Sequence, residues 1–145
     1  MKSTAGTSLS ITGIAHVGIR VHDLARSMAF YELLGFRKTL GPIGPEPVAI
    51  LEHPCGIEIN LVLNAPSPHT PNVLMDVPVK APGITHLSLA CPDIGVAARA
   101  LQRAGFPLSE GPVRFPNGSQ AIFVRDPDGV VIELNEAPVR NRETA

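Results

Sequence analysis

Two stretches of the chain have closely similar sequences, 16-HVGIRVHD-23 and 86-HLSLACPD-93, at an offset of 70 residues. Each stretch begins with a histidine and ends with an aspartate, and aspartate is a favoured N-cap residue at the start of a helix. The helical stretch that follows ends in a Gly-Phe pair, at 35–36 and at 105–106, again 70 residues apart. Two copies are too few for a solenoid, so the repeat predicts a pseudo-twofold domain. His16 and His86 are then equivalent residues that face a shared cavity.

Composition and charge describe an ordinary globular protein. The chain has 145 residues, of which 44% are hydrophobic and 17% charged, and its net charge is −1. This charge gives no basis for binding nucleic acid or an anionic membrane, and no apolar run approaches the roughly 20 residues of a membrane span. The N-terminus lacks the basic and apolar regions of a signal peptide, and two cysteines make no disulfide framework. We therefore expect a cytoplasmic protein.

Hydrophobic periodicity predicts the same order of elements in both halves of the chain. The first half has a strand at 14–21, a helix that begins after Asp23 and ends at Gly35, and strands at 36–40, 47–53 and 56–64. The second half has a strand at 84–90, a helix from Asp93 to Gly105, and strands at 107–110, 119–125 and 130–135. Residues 1–145 thus form a single domain with two βαβββ modules, 11–64 and 83–137, and a proline-rich linker at 65–82.

A βαβββ module cannot cover its own apolar face, so we expect an α+β fold in which two modules form a curved mixed sheet around a central cleft. Strand alternation places His16 on one face with Arg20, and His86 on one face with Ser88. The opposite face of each strand is apolar and should pack on the helix. Both histidines are therefore expected to face the cleft.

A carboxylate on the last strand completes a candidate metal site. Glu133 lies between Ile132 and Leu134 and is costly to bury without a partner. Alignment of the turn glycines at 56 and 129 places Asn60 opposite Glu133, with Glu58 two residues earlier on the same face. Two histidines, one carboxylate and a further oxygen suit a divalent metal. The alternative is a set of polar residues that satisfy one another in a cleft.

The chain resembles the vicinal-oxygen-chelate superfamily, which includes glyoxalase I, extradiol dioxygenases and bleomycin-binding proteins. The matching segments are 14-IAHVGI-19, the run from Asp23-Leu through Phe-Tyr to 34-LGF-36, and 126-DPDGVVIEL-134. They cover both modules, and the last segment is specific for the superfamily but not for one activity. The resemblance implies the paired βαβββ fold.

The resemblance also implies one divalent metal ion, Zn, Ni, Mn or Fe, with His16, His86 and Glu133 as ligands. A glyoxalase-like enzyme would have Glu at the position of Asn60, so this position departs from the pattern. Glu58 is the other candidate for the fourth ligand, if its strand is shifted or bulged. Members of this length are commonly homodimers, and in some of them the cleft is shared between two chains.

The resulting hypothesis is a glyoxalase-like lyase or isomerase that acts on a small oxygen-chelating substrate. Isomerisation requires a carboxylate base beside a metal that stabilises an enediolate, and the candidates for catalytic residues are Glu133 and Glu58. The candidates for substrate contact are side chains that share the cleft faces or lie beside them: Arg20, Asn60, Ser88 and Phe123.

Two other functions remain open. Three ligands of the His-His-Glu type also resemble the facial triad of non-haem iron dioxygenases. The extradiol pattern has a Tyr ten residues before the Glu and a His further upstream, whereas this chain has Phe123 and no His at 114–117. A metal-free binding protein of the bleomycin-resistance type would use exposed aromatic residues, and this chain has no Trp and one Tyr.

The remaining polar candidates have no predicted catalytic role. Three histidines lie next to turns or in the linker: His22, His53 and His69. Asp126 and Asp128 are expected to form the turn before the last strand through side-chain bonds to backbone amides.

Overall fold

The computed structural model describes residues 6, 8–66 and 70–139. The first module contains β1 (Val17–Arg20), α1 (Leu24–Tyr31), β2 (Arg37–Ile43), β3 (Val48–Glu52) and β4 (Glu58–Val62). The second contains β5 (His86–Ala90), α2 (Ile94–Arg103), β6 (Leu108–Arg114), β7 (Gln120–Arg125) and β8 (Val131–Glu136). The predicted α+β fold of two βαβββ modules is confirmed.

Each module forms a four-stranded mixed sheet, in the order β1-β4-β3-β2 or β5-β8-β7-β6. The first and last strands of a module are parallel neighbours, and the other pairs are antiparallel. Gly18 lies opposite Asn60 in the first sheet, and Ser88 lies opposite Glu133 in the second. In the described part of the chain, β1 and β5 are edge strands of separate sheets.

The two helices begin and end in the same way. Asp23 accepts a hydrogen bond from the Arg26 amide, and Asp93 accepts from two amides at the start of α2. At the other end, Gly35 and Gly105 have φ of +98° and +91°, a conformation that favours glycine. The amide of the phenylalanine after each glycine bonds to a carbonyl five residues earlier, as in a Schellman motif. The predicted Gly-Phe helix ends are therefore confirmed.

Strands β2 and β6 are longer than predicted. Their predicted segments stop at or before Gly41 and Gly111, whereas the strands continue through both glycines. The register of each strand shifts across this region, and both glycines have φ of +97°. A Cβ at Gly111 would lie 2.8 Å from the Ala121 carbonyl oxygen. Gly41 and Gly111, which the sequence predicted to end these strands in turns, therefore lie at β-bulges within continuous strands.

One hydrophobic core joins the modules. The Phe30 ring on α1 packs against Phe106 of the second module at 5.1 Å between centroids. Next to it, the buried Tyr31 hydroxyl donates to Asp126 at 2.8 Å. The core continues through inward-facing residues of both sheets, including Ile19, Leu61 and Ile132. The inter-module packing fixes how the two sheets are oriented.

The linker at 65–82 is attached to the second module. The Asn72 side chain donates to the Gly129 carbonyl at 3.1 Å, and Arg125 makes two hydrogen bonds to Asp76, at 2.7 and 3.0 Å. The Arg125 guanidinium holds the pKa of the Asp76 carboxyl below its usual value. Residues 67–69, and with them His69, lie outside the described residues.

Candidate metal centre

The second module holds a buried carboxylate beside a histidine. Nε2 of His86, at the start of β5, lies 3.3 Å from Oε1 of Glu133 on the neighbouring strand β8. Glu133 is only 7% exposed, and its other oxygen accepts a hydrogen bond from Asn135 at 2.9 Å. The side chains of His86, Glu133 and Asn135 are called the second half-site below. Its carboxylate is oriented before any ligand is present.

The first module holds a more open counterpart. Nδ1 of His16, just before β1, lies 3.6 Å from Oε2 of Glu58 at the start of β4. Oδ1 of Asn60, two residues along the same strand face, is buried without a hydrogen-bond partner. These three side chains, His16, Glu58 and Asn60, are called the first half-site below.

Strand register identifies which first-module residue corresponds to Glu133. Glu133 is opposite Ser88, and Asn60 is opposite Gly18, which occupies the same position in β1 as Ser88 does in β5. Asn60 is therefore the structural counterpart of Glu133, as the turn glycines predict. Glu58 was expected to reach the site only if its strand were shifted or bulged. It lies beside His16 although the pairing of β4 with both neighbouring strands shows no register shift.

The two half-sites do not meet within one chain. In the described residues, no group of three or more His, Cys, Asp or Glu side chains lies close enough together to hold a metal ion. The structure thus brings His16 to Glu58 and His86 to Glu133, but it does not bring the four side chains to one point.

A groove of about 730 Å³ runs between the edges of β1 and β5. His16, Arg20 and His86 line it, together with linker residues 70–74. Of the described side chains, those of Glu58, Asn60 and Glu133 are not part of its lining. Both histidines therefore face one groove, while the carboxylate and amide oxygens of the half-sites lie outside its lining.

The candidate substrate residues differ in what they contact. Ser88 is exposed and lies across from Glu133. Phe123 on β7 is opposite Glu133 on its other side, and its ring meets the His86 ring edge-on at 6.2 Å. Arg20 donates from Nε to Asn64 at 2.8 Å and lies 3.6 Å from Glu46 at the far end of β1.

Several polar residues without a predicted role support the architecture. His53 donates from Nε2 to the Leu34 carbonyl and accepts the Cys55 amide at Nδ1. His22 is buried 3.9 Å from Asp128 of the other module. Asp126 accepts the amides of Asp128 and Val130, so the predicted turn function of Asp126 is confirmed.

Sequence reasoning missed the bond between Tyr31 and Asp126. Desolvation, and then the nearby Asp126 carboxylate, raise the pKa of the Tyr31 hydroxyl well above its usual value. Burial also raises the pKa of Asp126. A phenol on a helix and an aspartate in a turn are 95 residues apart, and no local pattern connects them.

This fold, with a histidine at the start of each module and a carboxylate on the last strand, defines a class of paired βαβββ proteins. The model of the Glyoxalase/Bleomycin resistance protein/Dioxygenase superfamily matches residues 13–134, and the chain belongs to this family. It is 30% identical to Glyoxylase I 4 of Arabidopsis thaliana, over 92% of this chain and 76% of the relative.

Solved structures agree on the fold. A glyoxalase family protein from Enterococcus faecalis is 27% identical, with a TM-score of 0.69, over 86% of this chain and 97% of that one. TnmS3, an antibiotic-binding protein from Streptomyces sp. CB03234, is 22% identical, with a TM-score of 0.68, over 90% and 99% of the two chains.

Neither helix in the described residues is long and apolar enough to cross a membrane.

Proposed function

We propose that this protein is a metal-dependent, glyoxalase-like lyase or isomerase that acts on a small oxygen-chelating substrate. The observation that carries the proposal is the pair of half-sites, in each of which a histidine at or just before the first strand of the module lies beside a carboxylate on the parallel neighbouring strand. Membership in the glyoxalase superfamily and the similarity to a glyoxylase I support the same activity.

The donor set fits a divalent cation such as Zn²⁺, Ni²⁺, Mn²⁺ or Fe²⁺. His16, His86 and Glu133 would supply two nitrogens and one oxygen, and Asn60 would supply the fourth donor. The buried Oδ1 of Asn60 has no hydrogen-bond partner, and an unpaired buried oxygen is costly unless a cation or donor reaches it. This orphaned atom favours Asn60 over Glu58 as the fourth ligand. A bound metal would act as a Lewis acid towards substrate oxygens.

Glu58 is then available as the base. Its carboxylate lies beside the His16 ring and is about one-third exposed, whereas Glu133 is held by Asn135 and nearly fully buried. We assign to Glu58 the transfer of a carbon-bound proton of the substrate, because a base must approach the proton it removes. Ser88 and Phe123 lie next to Glu133 and would contact the substrate on the other side.

The active form in this proposal is a homodimer in which the first half-site of one protomer meets the second half-site of the other. Each protomer carries the two complementary half-sites apart from one another. The free edges of β1 and β5 also lie next to exposed apolar residues, Ile14 at 86% and Ile84 at 87%. Unpaired edges with exposed apolar side chains favour association, and a second copy would supply the missing donors.

The expected partner is a small molecule. A net charge of −1 gives no electrostatic attraction to nucleic acid. Both cysteines are free, as in proteins of a reducing compartment, and we propose a cytoplasmic location.

Metal content and catalysis can be tested separately. Wild type is expected to retain close to one divalent ion per chain, measured by elemental analysis, and His86→Ala is expected to lose it. Glu58→Gln should keep the metal but lose proton exchange at the substrate carbon, followed by deuterium incorporation from D₂O with a 2-oxoaldehyde and a thiol. The matched variant Asn60→Ala should weaken metal binding instead.

Each alternative predicts a different result. Loss of metal in Glu58→Gln with retention in Asn60→Ala would make Glu58 the ligand and refute its assignment as the base. Stoichiometric iron with oxygen-dependent ring cleavage would replace the isomerase by a dioxygenase. A wild-type protein that takes up no metal, even after reloading, would refute the enzyme proposal and leave a binding protein.

A further inference from the structure

A second cavity, of about 300 Å³, lies between the two modules. The first module contributes to its wall Leu34, Phe36, His53 and Ile57, and the second contributes Leu89, Ala97, Ala100 and Leu134. Three of the second-module wall residues are alanines, at 90, 97 and 100, and their short side chains leave the space open. The volume is at the lower end of the range of about 300–1,000 Å³ that ligand pockets have.

Two polar side chains of this wall, His53 and Cys91, offer no charge partner to a ligand. Both ring nitrogens of His53 are bonded, and its ring packs against Phe36 at 5.1 Å between centroids. The His53 ring can approach the backbone at position 35 because this residue is glycine. A Cβ at Gly35 would lie 2.7 Å from the His53 Nε2 atom. Burial raises the pKa of the Cys91 thiol, which therefore stays protonated and uncharged at neutral pH. No lining residue is an acid, lysine or arginine.

We propose that this cavity is a second binding site, for a small uncharged hydrophobic molecule such as an aromatic hydrocarbon. A charged ligand would lose its hydration without gaining a partner, whereas an apolar ligand would restore contacts that the open cavity lacks. This inference does not depend on the proposed metal centre. Ile57 and Leu134 are adjacent in the chain to Glu58 and Glu133, so the occupant would lie behind the strands that carry both half-sites.

Toluene is a suitable probe because it is small, apolar and uncharged. We expect a saturable rise in the midpoint of thermal unfolding of the wild type, of about 2–4 °C near saturation. Ala100→Leu places a larger side chain in the cavity and should abolish the toluene-dependent shift. The matched control is Gln102→Leu, which adds a leucine to the same helix at an exposed position outside the lining and should keep the shift.

A second measurement does not depend on the folding of a variant. Alkylation by iodoacetamide can be followed by mass spectrometry at Cys91, which lines the cavity, in wild type with and without toluene. The expected result is a severalfold slower reaction at Cys91. The proposal would be overturned if Ala100→Leu kept the toluene-dependent rise in the unfolding midpoint. It would also be overturned if the rise in wild type did not saturate and toluene did not protect Cys91 from alkylation. Absence of any effect on wild type, as when a second copy covers the cavity, would also overturn it.

Discussion

The two half-sites occupy equivalent positions in the fold but differ in how their oxygen donors are held. In the second, Glu133 is 7% exposed, is bonded to Asn135 and lies beside His86. In the first, the equivalent residue is the neutral Asn60, and the carboxylate has moved one pleat earlier, to Glu58. The internal repeat therefore preserves the strands and the histidines while the charge changes position.

The difference assigns separate tasks to the two modules. A carboxylate that is buried and oriented by a hydrogen bond is suited to bind a cation, because its geometry is fixed beforehand. A more exposed carboxylate that lies beside a histidine can exchange partners and accept a proton. On this account the second module holds the metal most firmly, and the first supplies the base.

Removal of the support for Glu133 should have a large effect on metal affinity. Asn135→Ala deletes the amide that donates to Glu133, and loss of such an outer partner typically weakens metal binding by about 10–100-fold. The measurement is a competition titration with a chelator. Val62 is opposite Arg20 as Asn135 is opposite Ala90, so Val62→Ala is the matched control in the first module. Equal effects of the two variants would contradict the proposed asymmetry.

Replacement of Asn60 by its second-module counterpart should make the two modules more alike. Asn60→Glu adds a charged ligand where the wild type has a neutral one, and we expect metal affinity to rise by about tenfold, or about 1.4 kcal/mol. Without metal, the new carboxylate would repel Glu58 on the same strand face and lower the midpoint of thermal unfolding. Unchanged affinity would show that position 60 does not face the metal.

Much of the fold follows from local signals in the sequence. The capping aspartates, the Gly-Phe helix ends and the alternation of β1 and β5 each depend on neighbouring residues, and all were confirmed. The ends of β2 and β6 were predicted wrongly because a glycine was interpreted as a turn. A bulge and a turn both require glycine at positive φ, and only the partner strand distinguishes them.

The candidate site was only partly predictable. Strand parity and the turn glycines identified His16, His86, Glu133 and the position of Asn60 because strand geometry is regular. The ligand and base assignments remain proposals. The pairing of His16 with Glu58, the orientation of Glu133 by Asn135 and the separation of the half-sites depend on side-chain packing between strands. Periodicity contains no information on such contacts.

A smaller effect is expected at the inter-module contact. Burial raises the pKa of Asp126 above its usual value of 3.8, so the folded protein binds this proton more tightly than the unfolded chain does. The contribution to stability is present below the unfolded pKa and is lost as the pH rises towards the folded pKa. Asp126→Asn should remove this component, which is measured as the difference between wild-type and variant unfolding free energies across this pH range. A difference independent of pH would contradict the raised pKa.

The central claim is that one protomer's first half-site and its partner's second half-site form a single metal centre. Two variants, His16→Ala and His86→Ala, can be co-expressed with different tags and purified as a heterodimer. Neither variant alone should retain metal. If the centre is shared between chains, the heterodimer contains one intact site, since one protomer keeps His16 and the other keeps His86.

The reciprocal control pairs wild type with the double variant His16→Ala/His86→Ala, which leaves no intact shared site. A metal centre shared between chains should give about one metal ion per dimer in the first heterodimer and none in the second. One ion in the second and none in the first would place the centre within a single chain and contradict the account, as would a protein that is monomeric in solution with its metal bound.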